Sequence, residues 1–225
     1  MSFIVAIDGP AGSGKGTITE EVGEKLDLIN IDTGATYRCV ALETINQKIK
    51  IEEKEKIIKL LDSIDIEFKN IGENKLVFLN GKDVTKKIRS KEVTQIVSPV
   101  SSIKEVRSKM VDLQRRLAKG KNVIMEGRDI TTVVFPNADV KIYLDASVEE
   151  RAKRRYKQNQ ETGINMTYDE ILDNIKKRDK NDMEKEVGAL KIAKDAVYVD
   201  STEMTIEEVV DEIIKLIKKI QGENK

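Results

Sequence analysis

The stretch Phe3-Ile4-Val5-Ala6-Ile7-Asp8-Gly9-Pro10-Ala11-Gly12-Ser13-Gly14-Lys15-Gly16-Thr17 decides the fold. Five apolar residues, two of them β-branched isoleucine, run without alternation and stop at an acid and a glycine-rich turn. A strand buried on both faces has that pattern, and strands of that kind lie inside parallel sheets. Thr17 to Leu26 then has helical periodicity, and Leu28-Ile29-Asn30-Ile31-Asp32 is a second short strand. Strand, turn, helix and strand within about thirty residues make a βαβ unit.

The same logic continues downstream. Val123-Ile124-Met125, Val140-Lys141-Ile142-Tyr143-Leu144 and Val197-Tyr198-Val199 read as further buried strands. The pairs Ser102/Glu105, Ser147/Glu150, Thr167/Glu170 and Thr205/Glu208 have capping-box spacing and mark helix starts between and after them. Five parallel strands alternating with helices give a three-layer α/β fold. One stretch breaks the alternation: Ile64 to Phe68 and Lys75 to Leu79 alternate in strand fashion around Asn70, Gly72 and Asn74, with a second turn at Asn80-Gly81. This predicts a small antiparallel insertion beginning near residue 63, reaching to between 90 and 100, on a single domain spanning 1–225. Gln221 to Lys225 reads as a frayed end.

Composition narrows the chemistry. The 225 residues carry 40 basic and 40 acidic side chains, so no general electrostatic pull toward nucleic acid, membrane or acidic partners is expected. The sole cysteine, Cys39, excludes an intrachain disulfide framework and lies in an apolar-patterned segment, which predicts a core role. No targeting or membrane-spanning segment is read, so a soluble, cytoplasmic protein is expected, and a monomer. There is no histidine at all. The usual general base and the commonest zinc ligand are therefore missing, and catalysis must rest on carboxylates, cations and backbone amides.

Gly9, Pro10, Ala11, Gly12, Ser13, Gly14, Lys15, Gly16 and Thr17 contain the GxxxxGK core of a phosphate-binding loop, placed as required between strand and helix. Glycines let backbone N–H groups wrap a phosphate, the helix N-terminus favours negative charge, and Lys15 reaches the outer phosphates. Gly16 follows the lysine where a GTPase has Ser or Thr, and the hydroxyl arrives at Thr17. A dinucleotide-binding reading fails because Thr17 stands where a third glycine is needed. The Gly-Lys-Gly-Thr ending resembles the nucleoside monophosphate kinases.

Ligands of open parallel sheets bind beyond the carboxyl ends of the strands. Asp32-Thr33-Gly34-Ala35-Thr36-Tyr37-Arg38 and Glu126-Gly127-Arg128-Asp129 both follow strand ends and bring arginines there. Asp32 to Arg38, Glu126 to Pro136 (EGRDITTVVFP) and Val140 to Ser147 (VKIYLDAS) resemble the signatures of the bacterial cytidylate kinase family, and the likeness runs over nearly the whole chain. It implies a P-loop NTPase core with a lid over ATP and an enlarged acceptor-binding insertion. It implies ATP and Mg2+ as donor and cofactor and CMP or dCMP as acceptor. Thr33, Tyr37, Arg38, Ser98, Arg107, Arg128, Asp129, Arg178, Asp182 and Lys185 would surround the acceptor. Arg38 and Arg128 would clamp its phosphate, Ser98, Arg107 and Asp129 would read the cytosine edge, and Asp182 would bind the sugar hydroxyls. The chain departs from the family at Lys185, where arginine is usual, and at Thr131, where glycine is usual.

Arg151, Arg154 and Arg155 share a face by i, i+3 and i+4 spacing, and the helix carrying them is followed by Gly163 and a second capped helix reaching Arg178. Residues 151–178 are expected to form the lid, with Lys15, Arg128, Arg178, Arg151 and Arg155 as catalytic cations. The metal ligands stay open: Glu126 and Asp145 both end strands as a magnesium-binding acid would. Two other readings are weighed: a hydroxyl kinase using Asp32 as base, which the arginine-rich acceptor side disfavours, and a nucleotide switch, which lacks an Asn-Lys-x-Asp guanine reader.

Overall fold

The computed structural model describes residues 2–71, 74–161 and 163–223. The chain divides into two compact units, residues 1–32 with 115–225, and residues 33–114.

The first unit is built on a parallel sheet. Its strands are β1 (Ile4–Asp8), β2 (Ile29–Asp32), β6 (Val123–Gly127), β7 (Val140–Asp145) and β8 (Val197–Asp200), in the order β2-β6-β1-β7-β8. All five strands read from the sequence are present. β1 is central because it is apolar on both faces: Val5, Ala6 and Ile7 are fully buried. Its register sets Ile7 beside Glu126 on one side and Ile142 on the other.

Helices α1 (Lys15–Lys25) and α8 (Ile206–Glu223) pack their apolar stripes on one sheet face. Ile18 and Val22 of α1 and Val209, Val210, Ile213 and Ile217 of α8 join Val5, Ile7, Ile124, Ile142 and Leu144 in one core. Side chains alternate along a strand, so Asp8 points away from that core. Its carboxylate meets the π-type turn Ile130–Val134 instead. Helix α8 runs through Glu223, so the fray expected from Gln221 is not found at 221–223; residues 224 and 225 lie outside the described residues.

The lid expected over 151–178 consists of α6 (Val148–Glu161) and α7 (Tyr168–Glu184). They pack on each other through Ala152, Ile171 and Ile175. Thr167 and Glu170 complete a reciprocal capping box, and Ser147 accepts from the Glu150 amide, as spacing predicts. Thr205 and Glu208 do the same for α8. Ser102 is the exception: it closes the preceding helix, its hydroxyl donating to the Ser98 carbonyl, because two helices meet there almost without a linker.

The second unit has its own core. Helices α2 (Thr33–Asn46), α3 (Lys54–Leu60), α4 (Lys91–Ser101) and the greater part of α5 (Lys104–Ala118) surround a three-stranded antiparallel sheet. Its strands are β3 (Ile66–Ile71), β4 (Asn74–Leu79) and β5 (Lys82–Asp83). The Asn80-Gly81 turn has both residues at positive φ, 50° and 75°, the backbone that Asn-Gly supplies at low cost. The turn expected at Gly72 lies outside the described residues. Cys39 is fully buried among Val40, Ile57, Leu79 and Val93, as its segment predicts. The antiparallel insertion is thus the middle of a larger unit that already starts at Thr33.

Candidate active site

The loop between β1 and α1 has the geometry its glycines permit. Gly12 and Gly14 stand at φ 81° and 88°, and Gly14 caps α1. A side chain at Gly9 would run into the Leu144 carbonyl oxygen, so that position requires glycine whatever its φ.

Lys15 is almost wholly buried, at 4 % exposure, and folds back over the loop. Its ammonium donates to the Pro10 carbonyl at 2.7 Å and to Ser13 Oγ at 3.0 Å. Burial, then the neighbouring Arg128 guanidinium, pull its pKa down to about 7; Glu126 and Asp8 act the other way, and Arg178 adds to the lowering. Lys15, Arg128 and Arg178 therefore lie within electrostatic reach of one another. Like charges gathered in a partly desolvated place have a physical use when a polyanion binds among them.

Arg128 donates from Nε to Asp182 Oδ2 at 2.8 Å and from Nη1 to the Gly127 carbonyl at 3.2 Å. Lys185 donates to the other Asp182 oxygen at 2.7 Å. Burial alone would raise the Asp182 pKa, but Arg128, Lys185 and Arg178 outweigh it and hold the carboxyl well below the usual carboxylate range. Burial also works against the charge on Arg128, yet Asp182 prevails and keeps it cationic. Both Asp182 oxygens are engaged by cations, so the residue that the resemblance assigns to sugar hydroxyls is here the anchor of Arg128 and Lys185. Lysine suffices at 185 for a single-oxygen contact, where the bidentate fork of arginine is not used.

Of the two strand-end acids, Glu126 faces the phosphate loop: its Oε1 lies 3.3 Å from where a Cβ at Gly16 would be. Asp145 is turned elsewhere, accepting from the Ala146 amide and the Tyr198 hydroxyl, each within 2.9 Å. A cavity of about 320 Å³ opens on that side, lined by Pro10, Tyr143, Asp145, Arg151, Met183 and Tyr198 among others.

The three arginines expected on one face of α6 go to three places. Arg151 reaches the phosphate loop at Ala11. Arg154 donates to Ser201 Oγ and to the Ser201 carbonyl, the latter at 2.6 Å. Arg155 donates to Gln158 on its own helix. Long side chains leaving one helical stripe can diverge by several ångströms, so shared spacing did not fix shared targets.

Two acids that sequence reading left aside organise this region. Asp8 is fully buried and accepts from the Ile130 amide, the Thr131 amide and the Thr131 hydroxyl at 2.8, 2.8 and 2.6 Å. Burial raises its pKa against those three donors. It pins the segment that follows Arg128 and Asp129, and Thr131 adds a hydroxyl that a glycine there would lack. An acid closing an apolar strand directly before the loop was the available signal. Asp179, bonded to Arg151 and to the loop, carries no signal beyond lying one position after Arg178.

In the second unit Arg107 lies over the Tyr37 ring, 5.4 Å from its centroid, and donates from Nη1 to the Ser101 carbonyl at 3.2 Å. Thr33 is buried at the start of α2, Thr36 donates to its carbonyl, and Arg38 is half-buried one turn further on. The Ser98 hydroxyl is buried and has no hydrogen-bond partner among the described residues. The Ser98 carbonyl is already shared by Ser101 and Ser102, so the open valence is the side chain's own. A buried hydroxyl without a partner costs free energy that a polar ligand recovers. Tyr37, Arg38, Ser98 and Arg107 thus belong to one unit, and Arg128, Asp129, Arg178, Asp182 and Lys185 to the other.

A family model described as cytidylate kinase matches residues 5–219. A protein of Caldicellulosiruptor saccharolyticus named cytidylate kinase is 50% identical over 218 residues, 97% of this chain and 96% of its own. One of Bacillus subtilis with the same name is 43% identical over 215 residues, 96% of either chain. Among solved structures, an uncharacterized protein from Eubacterium ventriosum aligns over 96% of this chain and 99% of its own with a TM-score of 0.55 at 13% identity, a likeness of fold. The chain belongs to the cytidylate kinase family.

Proposed function

We propose that this protein transfers the γ-phosphoryl group of ATP to CMP or dCMP, giving ADP and CDP or dCDP. The observation that carries the reading, beside family membership, is the gathering of Lys15, Arg128 and Arg178 around the phosphate loop. A lysine whose pKa is lowered by burial and by neighbouring arginines, gathered with them at one loop, is suited to bind facing phosphate chains.

In this reading, the loop 9–17 holds the β- and γ-phosphates through the N–H groups of residues 12–17, and Lys15 is held in its protonated form against them. Arg128 and Arg178, with Arg155 swung in from the lid, offset charge developing on the transferring group. Thr33, Tyr37, Arg38, Ser98, Arg107 and Asp129 serve the acceptor, the last three polar groups at 98, 107 and 129 reading its base. A carboxylate at Asp129 favours the exocyclic amine of cytosine over the carbonyl of uracil. Asp182 releases one of its cations to the acceptor phosphate and turns to the sugar. No general base is needed, because a nucleoside monophosphate, with a second pKa near about 6, presents an ionised oxygen at neutral pH. That suits a chain without histidine.

Magnesium fits the residues present in one way. Among the described residues no group of three or more acids, cysteines or histidines could hold a metal by itself. Glu126, beside Gly16, and the Thr17 hydroxyl would complete a shell made mostly of phosphate oxygens and water, as a small hard cation accepts. The ion would supply charge neutralisation between the β- and γ-phosphates. The reading further takes the protein as a cytoplasmic monomer without nucleic-acid partners, in keeping with its zero net charge and with the absence, among the described residues, of a helix long and apolar enough to cross a membrane.

A coupled ADP-release assay with ATP and magnesium against CMP, dCMP, UMP, AMP, GMP and shikimate tests it. Turnover with CMP or dCMP well above the others is expected. Turnover with shikimate alone would overturn the reading in favour of a hydroxyl acceptor.

A further inference from the structure

The phosphate loop is held from outside at one residue. The Ala11 amide donates to Asp179 Oδ1 at 3.3 Å, and the Ala11 carbonyl accepts from Arg151 Nη1 at 2.9 Å. The same Nη1 contacts Asp179 Oδ2 at 2.5 Å, which closes a ring of three residues, Ala11, Arg151 and Asp179, spanning the two peptide groups that flank the Ala11 Cα. Arg151 Nε donates to the Ala146 carbonyl at 2.9 Å, so the guanidinium is tied to the end of β7 as well. Arg151 and Asp179 are 3 % and 7 % exposed. The next residue, Gly12, lies against the Arg151 stem: a Cβ there would be 3.3 Å from Arg151 Cβ.

Arg151 comes from α6 and Asp179 from α7, the two lid helices. Both polar groups of Ala11 are consequently fixed by the lid. A phosphate loop binds by converging its N–H groups, and those of residues 12–17 converge only if the turn that precedes them is set. An arginine with its fork directed to two backbone carbonyls and a carboxylate is a brace, and a group so engaged is poorly placed to reach a transferring phosphoryl.

We infer that Arg151 and Asp179 are positioning residues, a lid-borne clamp on Ala11 that sets the phosphate loop for the ATP phosphates. This assigns Arg151 to the loop in place of direct contact with the transferred group, and it rests on the functional reading above only for the identity of the donor. Their effects run through one structure, so they are expected to be non-additive.

The test uses Arg151→Ala, Asp179→Ala, the double variant and the conservative Arg151→Lys and Asp179→Asn. ATP binding is read by titration calorimetry without acceptor, and KM for ATP and CMP and kcat by coupled assay. Each alanine variant is expected to weaken ATP binding by about tenfold or more, the double by no more than either single, with KM for CMP changed less than about threefold. Asp179→Asn, which keeps an acceptor for the Ala11 amide, should recover part of the ATP affinity. If the alanine variants do not fold, as judged by circular dichroism, the conservative pair decides: ATP affinity within twofold of the parent in both overturns the clamp. So does a fall in kcat in Arg151→Ala with unchanged ATP affinity, or full additivity. Failure of the functional reading would show separately, as absence of CMP turnover in the parent with ATP binding intact.

Discussion

The phosphate loop and helix α4 of the second unit, which we propose serves the acceptor, solve opposite problems. Around the loop the donors of the cations are engaged within the protein: Lys15 by a carbonyl and a hydroxyl, Arg128 and Lys185 by Asp182, Arg151 by Asp179. On α4 the Ser98 hydroxyl is buried with no hydrogen-bond partner among the described residues. The loop binds the part of a nucleotide that all nucleoside triphosphates share, so its geometry can be assembled in advance. Base recognition must wait for the base, because a site that satisfied its own polar groups would discriminate nothing.

The contrast can be broken at its strongest point. Arg128→Ala is expected to lower kcat about a thousandfold while the melting temperature moves little, because Lys185 still neutralises Asp182. Near-normal turnover in a steady-state assay would remove Arg128 from the transfer step.

Lys15 gives a pH test. Its pKa in the empty protein is pulled down to about 7 by burial and Arg128, whereas bound phosphates favour the ammonium. Above pH 7 the empty protein therefore holds less than a full proton at Lys15, and ATP binding must take one up. Affinity is expected to fall by up to about tenfold per pH unit from pH 7.5 upward, with proton uptake seen by calorimetry in buffers of different ionisation enthalpy. Flat affinity between pH 7.5 and 9 with no uptake would contradict the pre-assembled picture of the loop.

The smallest effect sharpens the other side. Ser98→Ala removes the hydroxyl proposed to bond the acceptor and is expected to raise KM for CMP about fivefold, leaving KM for ATP unchanged. Equal shifts in both constants would mean that Ser98 acts through folding.

The same contrast explains what could be read from the residues alone. The five strands and the phosphate loop are contiguous segments whose apolar runs and glycines each state a local requirement; they are found in place, as are the caps at Ser147, Thr167 and Thr205, though not at Ser102. Arg38 and Arg128 are marked by their places just after strand ends, whereas Ser98, Arg107 and Asp182 are distant in sequence and individually ordinary, so only the likeness to a family assigned them a common ligand. Asp8, Asp179 and the separate destinations of Arg151, Arg154 and Arg155 escaped because they depend on tertiary placement: which side of a strand an acid faces, and which loop a long side chain meets. The antiparallel hairpin was legible from its alternation, but the unit around it was not, since α2 continues directly from β2 without a linker to mark the boundary.

The most direct measurement is 31P NMR of the protein with ATP, magnesium and CMP. Loss of the ATP γ-resonance with equal gain of ADP and CDP signals is the predicted result. Inorganic phosphate appearing in their place, or no change with CMP and dCMP alike, would contradict phosphoryl transfer to a cytidine monophosphate.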